Sequence, residues 1–393
     1  MAAMGLGPRV GIAVSGGGDS VALMHLAARR GGHALRVATV DHGLRPGAAE
    51  EARGVAAAAA ALGLPHDTLR PPAPLHPVQA ELREARRALL AGWAGGHGLS
   101  AVLTGHTLDD QAETVLMRLA RGGGAEALAG IPAAPADSPF RRPLLGIARA
   151  DLRGWLRTEG IGWAEDPSND DTAFERVRVR RALGSLGPDA PSAAMLARTA
   201  RRMGDAAEAL DWAAAGLARG AVVLSPVGDG SIDRAALAGV PREIARRVLL
   251  GVLRDVGRHP VRPREAALDR ALDAAPGQGG AGLCLAGCRV RPAPTRLRVF
   301  RDPREAACRA VSLGGGPGAA VEWDRRWLVG ARGGLVTSTL AAGLRRPPAA
   351  ARAGIAELAW QSLPAIVEDG RARALHPAAR PDDLVRYVRP GPH

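Results

Sequence analysis

Short apolar runs alternate with longer amphipathic segments over the first half of the chain. Runs at 10–14, 34–40, 65–69 and 101–104 predict buried strands, and 142–146 predicts an edge strand. Between the runs, apolar residues recur at helical spacing, which predicts helices at 21–26, 48–62, 79–94 and 149–159. Because strands and helices alternate, the fold class is α/β, with a parallel sheet and right-handed crossovers.

A glycine-rich turn joins the first predicted strand to the first predicted helix and consists of Ser15, Gly16, Gly17, Gly18, Asp19 and Ser20. Glycines let the backbone approach an anion closely, and the helix that follows adds the positive end of its dipole. The turn predicts a phosphate-binding loop, although an ordinary glycine turn has a similar composition. A P-loop NTPase is excluded because the sequence contains no lysine, and the Rossmann fingerprint lacks its last glycine, where Val21 stands.

Polar residues also follow the second and fourth predicted strands, at Asp41 and at His106. Ligands of open α/β sheets gather at the carboxyl ends of the strands. Thr107 is a predicted N-cap, and Asp110 and Glu113 then share one face of the helix that follows. Carboxylates in a first turn often only compensate the helix dipole. Beside a phosphate loop they become candidates for holding Mg²⁺ or an ammonium group.

Arginine is concentrated on the predicted helix at 79–94 and in a dense basic run at 174–181. Arg83 and Arg86 lie on one face of that helix, and Arg176 and Arg178 lie in the run. Such residues form either a solvated basic face or a cluster that faces phosphates. The net charge of +13 favours a polyanionic partner such as RNA.

Length and composition predict two or three globular domains in 393 residues. We expect a parallel-sheet domain at 1–188, a helical domain at 189–278 suited to bind RNA, and a small mixed domain at 279–393. Three cysteines, all late in the chain, make a disulfide framework improbable. No apolar run long enough for a membrane span and no signal-like start is seen, so a cytoplasmic protein without a membrane partner is expected. The glycine- and proline-rich stretch at 121–139 is expected to be a mobile loop.

Six motifs in order give the sequence a family resemblance. They are Ser-Gly-Gly-Gly-Asp-Ser from Ser15, Asp-His-Gly-Leu-Arg from Asp41, Leu-Arg-Glu-Ala-Arg-Arg from Leu82, Thr-Gly-His-Thr-Leu-Asp-Asp-Gln-Ala-Glu-Thr from Thr104, Arg-Pro-Leu-Leu from Arg142 and Glu-Asp-Pro-Ser-Asn from Glu165. The chain resembles the tRNA(Ile)-lysidine synthetase family of PP-loop ATP pyrophosphatases. The match is close from residue 10 to about 181 and weaker beyond.

The resemblance implies a reaction in two steps. ATP adenylates the C2 carbonyl oxygen of the wobble cytidine in an isoleucine tRNA with a CAU anticodon, and free L-lysine then displaces AMP to form lysidine. It also implies that 1–188 is the catalytic domain and that 189–278 is a tRNA-binding domain, and it implies roles for the residues singled out above. The loop from Ser15 to Ser20 would hold ATP with Mg²⁺ near Asp19, and the backbone after Val40 would meet the adenine. The catalytic candidates are His106, Asp110 and Glu113, and the candidates for contacting tRNA or phosphate are Arg83, Arg86, Arg176 and Arg178.

The sequence departs from the family pattern at two positions. Val177 replaces an asparagine of the basic run, and Arg87 stands where a tyrosine is common. The main alternative is another PP-loop tRNA-modifying enzyme such as a 2-thiolase, but no cysteine precedes Cys284. Amidating relatives and a non-catalytic tRNA-binding protein are further alternatives. A homodimer is compatible with the sequence, which leaves the oligomeric state open.

Overall fold

The computed structural model describes residues 4–43, 47–72, 79–136, 138–165, 172–173, 175–185, 191–259, 262–275, 282–307, 311–312, 320–330, 335–338, 341–344, 356–368, 371–374 and 384–387. The chain divides into two compact units, Met1–Ala207 and Glu208–His393. The predicted three-domain division, with boundaries after 188 and 278, stays a prediction. Among the described helices, none combines the length and the apolar character needed to cross a bilayer.

A five-stranded parallel sheet with the strand order β3-β2-β1-β4-β5 forms the centre of the first unit. Its strands are β1 (Arg9–Ala13), β2 (Ala34–Val40), β3 (His66–Leu69), β4 (Ala101–Thr104) and β5 (Phe140–Arg141). Its helices are α1 (Gly18–Arg30), α2 (Ala48–Ala61), α3 (Gln79–Gly96), α4 (Leu108–Leu119), α5 (Ala125–Leu128), α6 (Arg149–Thr158) and α7 (Glu175–Ser185), followed by the first part of α8 (Ala193–Ala221). The predicted α/β fold is confirmed for this unit.

Helices cover both faces of this sheet. Val10 and Ile12 of β1 pack with α1, α2 and α6, whereas Ala13 packs on the opposite face with Trp93 of α3. The strand residues alternate between the faces, and both faces are apolar, as a parallel sheet covered by helices requires. Gly11 is needed where α3 comes closest, because a Cβ there would lie 2.5 Å from the Trp93 ring. This packing fixes β1 at the centre, with the phosphate-loop candidate at its carboxyl end.

One sequence prediction on local structure is wrong. The edge strand lies at Phe140–Arg141 instead of 142–146, because Pro143 has no N–H for a ladder and the segment after it forms turns. Leu119, the last residue of α4, is 53% exposed.

The stretch expected to be a mobile loop contains α5 and is hydrogen-bonded to α4. The side chain of Gln111 pairs with both backbone groups of Ile131, at 2.9 and 2.5 Å. Arg118 Nη1 donates to the carbonyls of Ala127 and Gly130, each at 2.7 Å. The mobility of this stretch stays a prediction.

The second unit contains the rest of α8, further helices and antiparallel sheets. Its sheets have the orders β6-β7-β10-β9-β8, β11-β14-β15-β16 and β12-β13-β17. The strands are β6 (Val222–Leu224), β7 (Gly230–Asp233), β8 (Leu283–Leu285), β9 (Cys288–Pro292), β10 (Arg296–Arg301), β11 (Val311–Ser312), β12 (Ala320–Trp323), β13 (Trp327–Gly330), β14 (Leu335–Ser338), β15 (Pro364–Glu368), β16 (Arg371–Ala374) and β17 (Leu384–Tyr387). The helices are α9 (Arg234–Ala238), α10 (Arg242–Gly257), α11 (Glu265–Ala274), α12 (Pro303–Ala307) and α13 (Glu357–Gln361).

Candidate active site

The glycine-rich turn closes on itself between β1 and α1. The Ser15 N–H donates to Ser20 Oγ at 3.1 Å, and Ser20 Oγ donates to the Gly17 carbonyl at 2.8 Å. Gly16 has a φ of 91°, in the region that favours glycine, and its carbonyl accepts from the Ala164 N–H at 3.0 Å. The hydroxyl of Ser20 therefore shapes the loop from within.

The first turn of α1 faces an open space. Gly17 is the N-cap and supplies no side chain to the free N–H groups of that turn. The loop is packed firmly from the other side, because a Cβ at Gly105 would lie 3.0 Å from the backbone of Asp19 and Ser20. A helix N-terminus without a side-chain cap, held rigid from behind, is suited to bind phosphate through backbone amides.

Three carboxylates surround the guanidinium of Arg149, the first residue of α6. Its Nε donates to Asp19 Oδ2 at 2.9 Å. Its Nη2 lies 3.6 Å from Asp110 Oδ1, and its Nη1 lies 3.6 Å from Glu113 Oε1. Arg180 Nε also donates to Glu113 Oε1, at 2.8 Å. We call the part of the cavity next to Asp110, together with the buried Glu113 carboxylate that Arg149 also approaches, the amine pocket.

Asp110 is held in place by a capping box at the start of α4. Its Oδ2 accepts from the Thr107 N–H at 2.8 Å and from Thr107 Oγ1 at 3.0 Å, which confirms the predicted N-cap. Burial alone would raise the pKa of Asp110, but the Thr107 hydrogen bond and the charge of Arg149 outweigh it and lower the pKa. Asp110 is therefore ionised, with Oδ1 directed towards the amine pocket.

Burial and neighbouring charges oppose each other at Asp19, Arg149 and His106. Burial raises the pKa of Asp19, against the opposing effect of Arg149. Burial lowers the pKa of Arg149, but the charge of Asp110 and the hydrogen bond to Asp19 more than compensate, so the net shift is upward. The pKa of His106 falls to about 4, because burial disfavours its charged form more than Asp110 favours it. His106 is thus neutral at physiological pH, with Nδ1 3.0 Å from Thr104 Oγ1.

These groups line a cavity of about 710 Å³ in the first unit. That volume is in the range of small-molecule and cofactor sites. Of the predicted site residues, the cavity wall includes Ser15, Gly17, Gly18, Asp19, Ser20, Val40, Arg86, His106, Asp110 and Arg176. Gly16 and Glu113 are not part of the wall. The Gly16 carbonyl is bonded to the Ala164 N–H. Glu113 is only 1% exposed, and it contacts the lining residues Arg149 and Arg180.

Two of the predicted phosphate-contacting arginines do not line the cavity. Arg83 is exposed on α3, one helical turn from Arg86, which does line it. Arg178 donates to the carbonyls of Thr172 and Ala173, each at 2.8 Å, and is held in a local turn. On α7 the arginines that reach the cavity are Arg176 and Arg180, four positions apart on one helix face.

Sequence reasoning missed Arg149 and did not select Arg180 from the basic run. Arg149 was noted only as the start of a predicted helix. One available signal was its position shortly after the fifth strand, on the same sheet edge as the loop and the carboxylates. The family pattern around Arg142-Pro143 gave no role to the arginine seven residues later.

Residues 6–186 match a family model described as a PP-loop domain. The first unit therefore contains a PP-loop ATP-binding domain. The chain is 43% identical over 328 residues to the tRNA(Ile)-lysidine synthase of Ruegeria pomeroyi, covering 82% of this chain and 76% of that protein. It is 44% identical over 325 residues to the tRNA(Ile)-lysidine synthase of Methylobacterium sp., covering 76% of this chain and 94% of that protein. The chain belongs to the tRNA(Ile)-lysidine synthase family.

Among solved structures, the chain is similar to a U34-tRNA thiolase from Methanococcus maripaludis that carries a [4Fe-4S] cluster. The sequence identity is 17%, the match covers 51% of this chain and 74% of that one, and the TM-score is 0.45. This likeness is too low to bear on function.

Proposed function

We propose that the protein ligates free L-lysine to C2 of the wobble cytidine in the CAU anticodon of tRNA(Ile), with ATP converted to AMP and diphosphate. The observation that carries the proposal is that the open N-terminus of α1 and the carboxylate of Asp110 line the same cavity. One part is suited to a polyphosphate, and the other to an ammonium group. Bringing the two together would convert a reaction between separate molecules into one within a single site.

The loop is the proposed site of the ATP phosphates. Amides at the start of α1 would stabilise the charge that builds on the leaving pyrophosphate. Val40, at the carboxyl end of β2, lines the cavity and offers an apolar contact for adenine. The nucleotide would therefore span the ends of β1 and β2, as ligands of such sheets do.

Mg²⁺ would bind beside the loop, with Asp19 as its protein ligand. Asp19 Oδ1 is buried and has no hydrogen-bond partner among the described residues, so it can accept a cation. Those residues contain no cluster of three or more His, Cys, Asp or Glu side chains that could hold a metal ion. A single carboxylate, that of Asp19, suits Mg²⁺, which is often held by one or two carboxylates together with substrate phosphates and water. When bound, the ion would neutralise charge on the phosphates.

The amine pocket is the proposed site of lysine. Asp110 is ionised and rigidly held, and Glu113 Oε2 is buried without a partner in the described part of the chain. Both carboxylates can accept hydrogen bonds from an ammonium group. Neutral His106 lies beside Asp110 and can accept a proton or a hydrogen bond from the attacking amine. With a pKa of about 4 it is a weak base, so orienting the amine is its principal role.

The tRNA would approach through a basic rim. Arg86, Arg176 and Arg180 line the cavity, and they can pair with the backbone phosphates of the anticodon loop. The net charge of +13 would attract the tRNA before specific contacts form. A tRNA-gripping role for 189–278, a homodimer and a cytoplasmic location remain predictions.

The thiolase alternative requires a reactive cysteine near the nucleotide. Cys284 and Cys288 both lie in the second unit, outside the group of residues that lines the cavity. Burial raises the pKa of the Cys288 thiol to about 12, which leaves it protonated and unreactive. This favours ligation over sulfur transfer.

The proposal is tested by incubating the full chain with radiolabelled lysine, ATP, Mg²⁺ and total tRNA. We expect ATP-dependent label in one isoleucine tRNA, together with pyrophosphate release. Reactions without ATP and reactions with a tRNA transcript carrying uridine at the wobble position serve as controls. Label that appears without ATP would refute the proposal. So would tRNA modification that requires a sulfur donor in place of lysine.

A further inference from the structure

The contacts of Arg149 with the three carboxylates are unequal. Its Nε is 2.9 Å from Asp19 Oδ2, which is a hydrogen bond, whereas its distances to Asp110 and Glu113 are both 3.6 Å. The longer distances exceed hydrogen-bond length and leave only charge attraction. Arg149 is therefore anchored to the phosphate loop and only loosely engaged by the amine pocket.

The amine pocket retains unused acceptor capacity while Arg149 is present. Glu113 Oε2 is buried with no partner in the described residues, and Asp110 Oδ1 has ion pairs of 3.6 Å to Arg149 and 3.9 Å to Arg176. A compact ammonium with three donors can approach such atoms more closely than a planar guanidinium held from one side. An ammonium group is thus the better occupant, provided that the guanidinium moves.

The backbone at Arg149 is fixed independently of its side chain. The Arg149 N–H donates to Asp109 Oδ2 at 2.7 Å, and the Leu108 N–H donates to the Ile147 carbonyl at 3.0 Å. These bonds tie the start of α6 to the start of α4. The guanidinium can therefore change partners by rotation of its side chain, without movement of the helix.

The anchor of this side chain is also the proposed ligand of Mg²⁺. Asp19 Oδ1 has no partner, so a cation bound to Asp19 would compete with Arg149 for the same carboxylate. The phosphates of a bound nucleotide would at the same time offer the guanidinium a stronger partner, since arginine binds phosphate bidentately. Both effects would draw Arg149 away from the amine pocket.

We propose that Arg149 is a positioning residue, an internal cation that occupies the amine pocket until Mg²⁺ and nucleotide bind at Asp19. Its release makes lysine binding depend on prior nucleotide binding. This inference rests on the proposed function, because it takes lysine as the amine. The order of binding would keep the pocket closed to amines until an adenylate can form.

The test is calorimetric titration of L-lysine into the full chain, with and without Mg²⁺ and an ATP analogue whose α–β bridge is methylene. In the unaltered protein the nucleotide should strengthen lysine binding by about tenfold or more, the range of ordinary coupling between sites. In Arg149→Gln, lysine should bind without nucleotide as tightly as it binds the unaltered protein with nucleotide. Arg149→Lys keeps the charge and should keep the dependence.

Arg157→Gln is the matched control. Arg157 lies on the same helix, is exposed, and stacks over the Trp163 ring at 5.8 Å from its centroid. This variant should behave as the unaltered protein does.

Weaker lysine binding by Arg149→Gln under both conditions would overturn the inference, because Arg149 would then build the amine pocket and not block it. If Arg149→Gln does not fold, loss of the nucleotide dependence in Arg149→Lys overturns it instead. Equal lysine affinity with and without nucleotide in the unaltered protein overturns it as well. Absence of lysine binding in every condition would remove lysine as the substrate, and this inference with it.

Discussion

Replacing Asp110 by Asn tests the amine pocket with minimal change of shape. The side chain is 12% exposed, and its Oδ2 accepts two hydrogen bonds from Thr107, at 2.8 and 3.0 Å. An asparagine oxygen can keep these bonds, so the start of α4 should remain intact. The loss is the negative charge at Oδ1, 3.6 Å from Arg149.

The size of the effect follows from the lost charge. A hydrogen bond between charged groups contributes about 1.5–3 kcal/mol. That energy corresponds to a decrease of roughly 10- to 150-fold in kcat/KM for lysine. Loss of part of the cap would lower the free energy of unfolding by about 1 kcal/mol or less.

Two assays separate the steps. Incorporation of labelled lysine into tRNA(Ile) gives kcat/KM for lysine, and pyrophosphate exchange into ATP reports adenylation of the base. We expect the first to fall and the second to be retained. Asp109→Asn is the matched control, because Asp109 lies on the same turn but accepts from the Arg149 N–H at 2.7 Å and does not line the cavity. An unchanged kcat/KM for lysine in Asp110→Asn would refute the reasoning.

Three further perturbations test other parts of the account. Gly105→Ala would place a methyl group 3.0 Å from the backbone of Asp19 and Ser20, so the phosphate loop must shift. Nucleotide affinity measured by calorimetry should fall by about tenfold. An unchanged affinity would show that Gly105 does not hold the loop in place. Burial lowers the pKa of His106 from the ordinary 6.5 to about 4, so between these pH values the unfolded chain binds one more proton than the folded chain and the free energy of unfolding falls as pH falls. The melting temperature should therefore fall less steeply from pH 7 to pH 4 in His106→Gln than in the unaltered protein. An equal slope would contradict the burial of His106. Asp324→Ala in the second unit removes the carboxylate that pairs with the buried Arg301 at 2.6 Å and the buried Arg326 at 2.9 Å. Denaturant unfolding should show a free energy of unfolding lower by about 3–5 kcal/mol. A decrease below about 1 kcal/mol would show that water solvates the two arginines in place of Asp324.

The sequence allowed prediction of those parts of the site that depend on local signals. The strand-turn-helix around Ser15 and the cap formed by Thr107 and Asp110 are determined by residues a few positions apart, and the structure has both. The edge strand was misplaced because two residues suffice to pair β5 with β4, too short a run for an alternation pattern to locate.

Long-range pairing explains what sequence reasoning missed. Arg149 meets Asp19 across 130 positions of sequence, and nothing local to α6 indicates that contact. Composition showed that α3 and α7 are basic, but the rotation of each helix decides that Arg86 and Arg176 line the cavity while Arg83 and Arg178 do not. Helix rotation is set by tertiary packing, which a charge pattern does not specify.

The central claim is that the amides at the start of α1 hold the ATP phosphates beside a pocket for the lysine amine. A crystal structure of the full chain with Mg²⁺, the methylene analogue of ATP and lysine tests it most directly. We expect phosphate oxygens about 3 Å from the N–H groups of Gly17 and Gly18, and an ammonium nitrogen about 3 Å from Asp110 Oδ1. A triphosphate bound elsewhere, or an ammonium distant from Asp110 with the loop filled, would contradict the account.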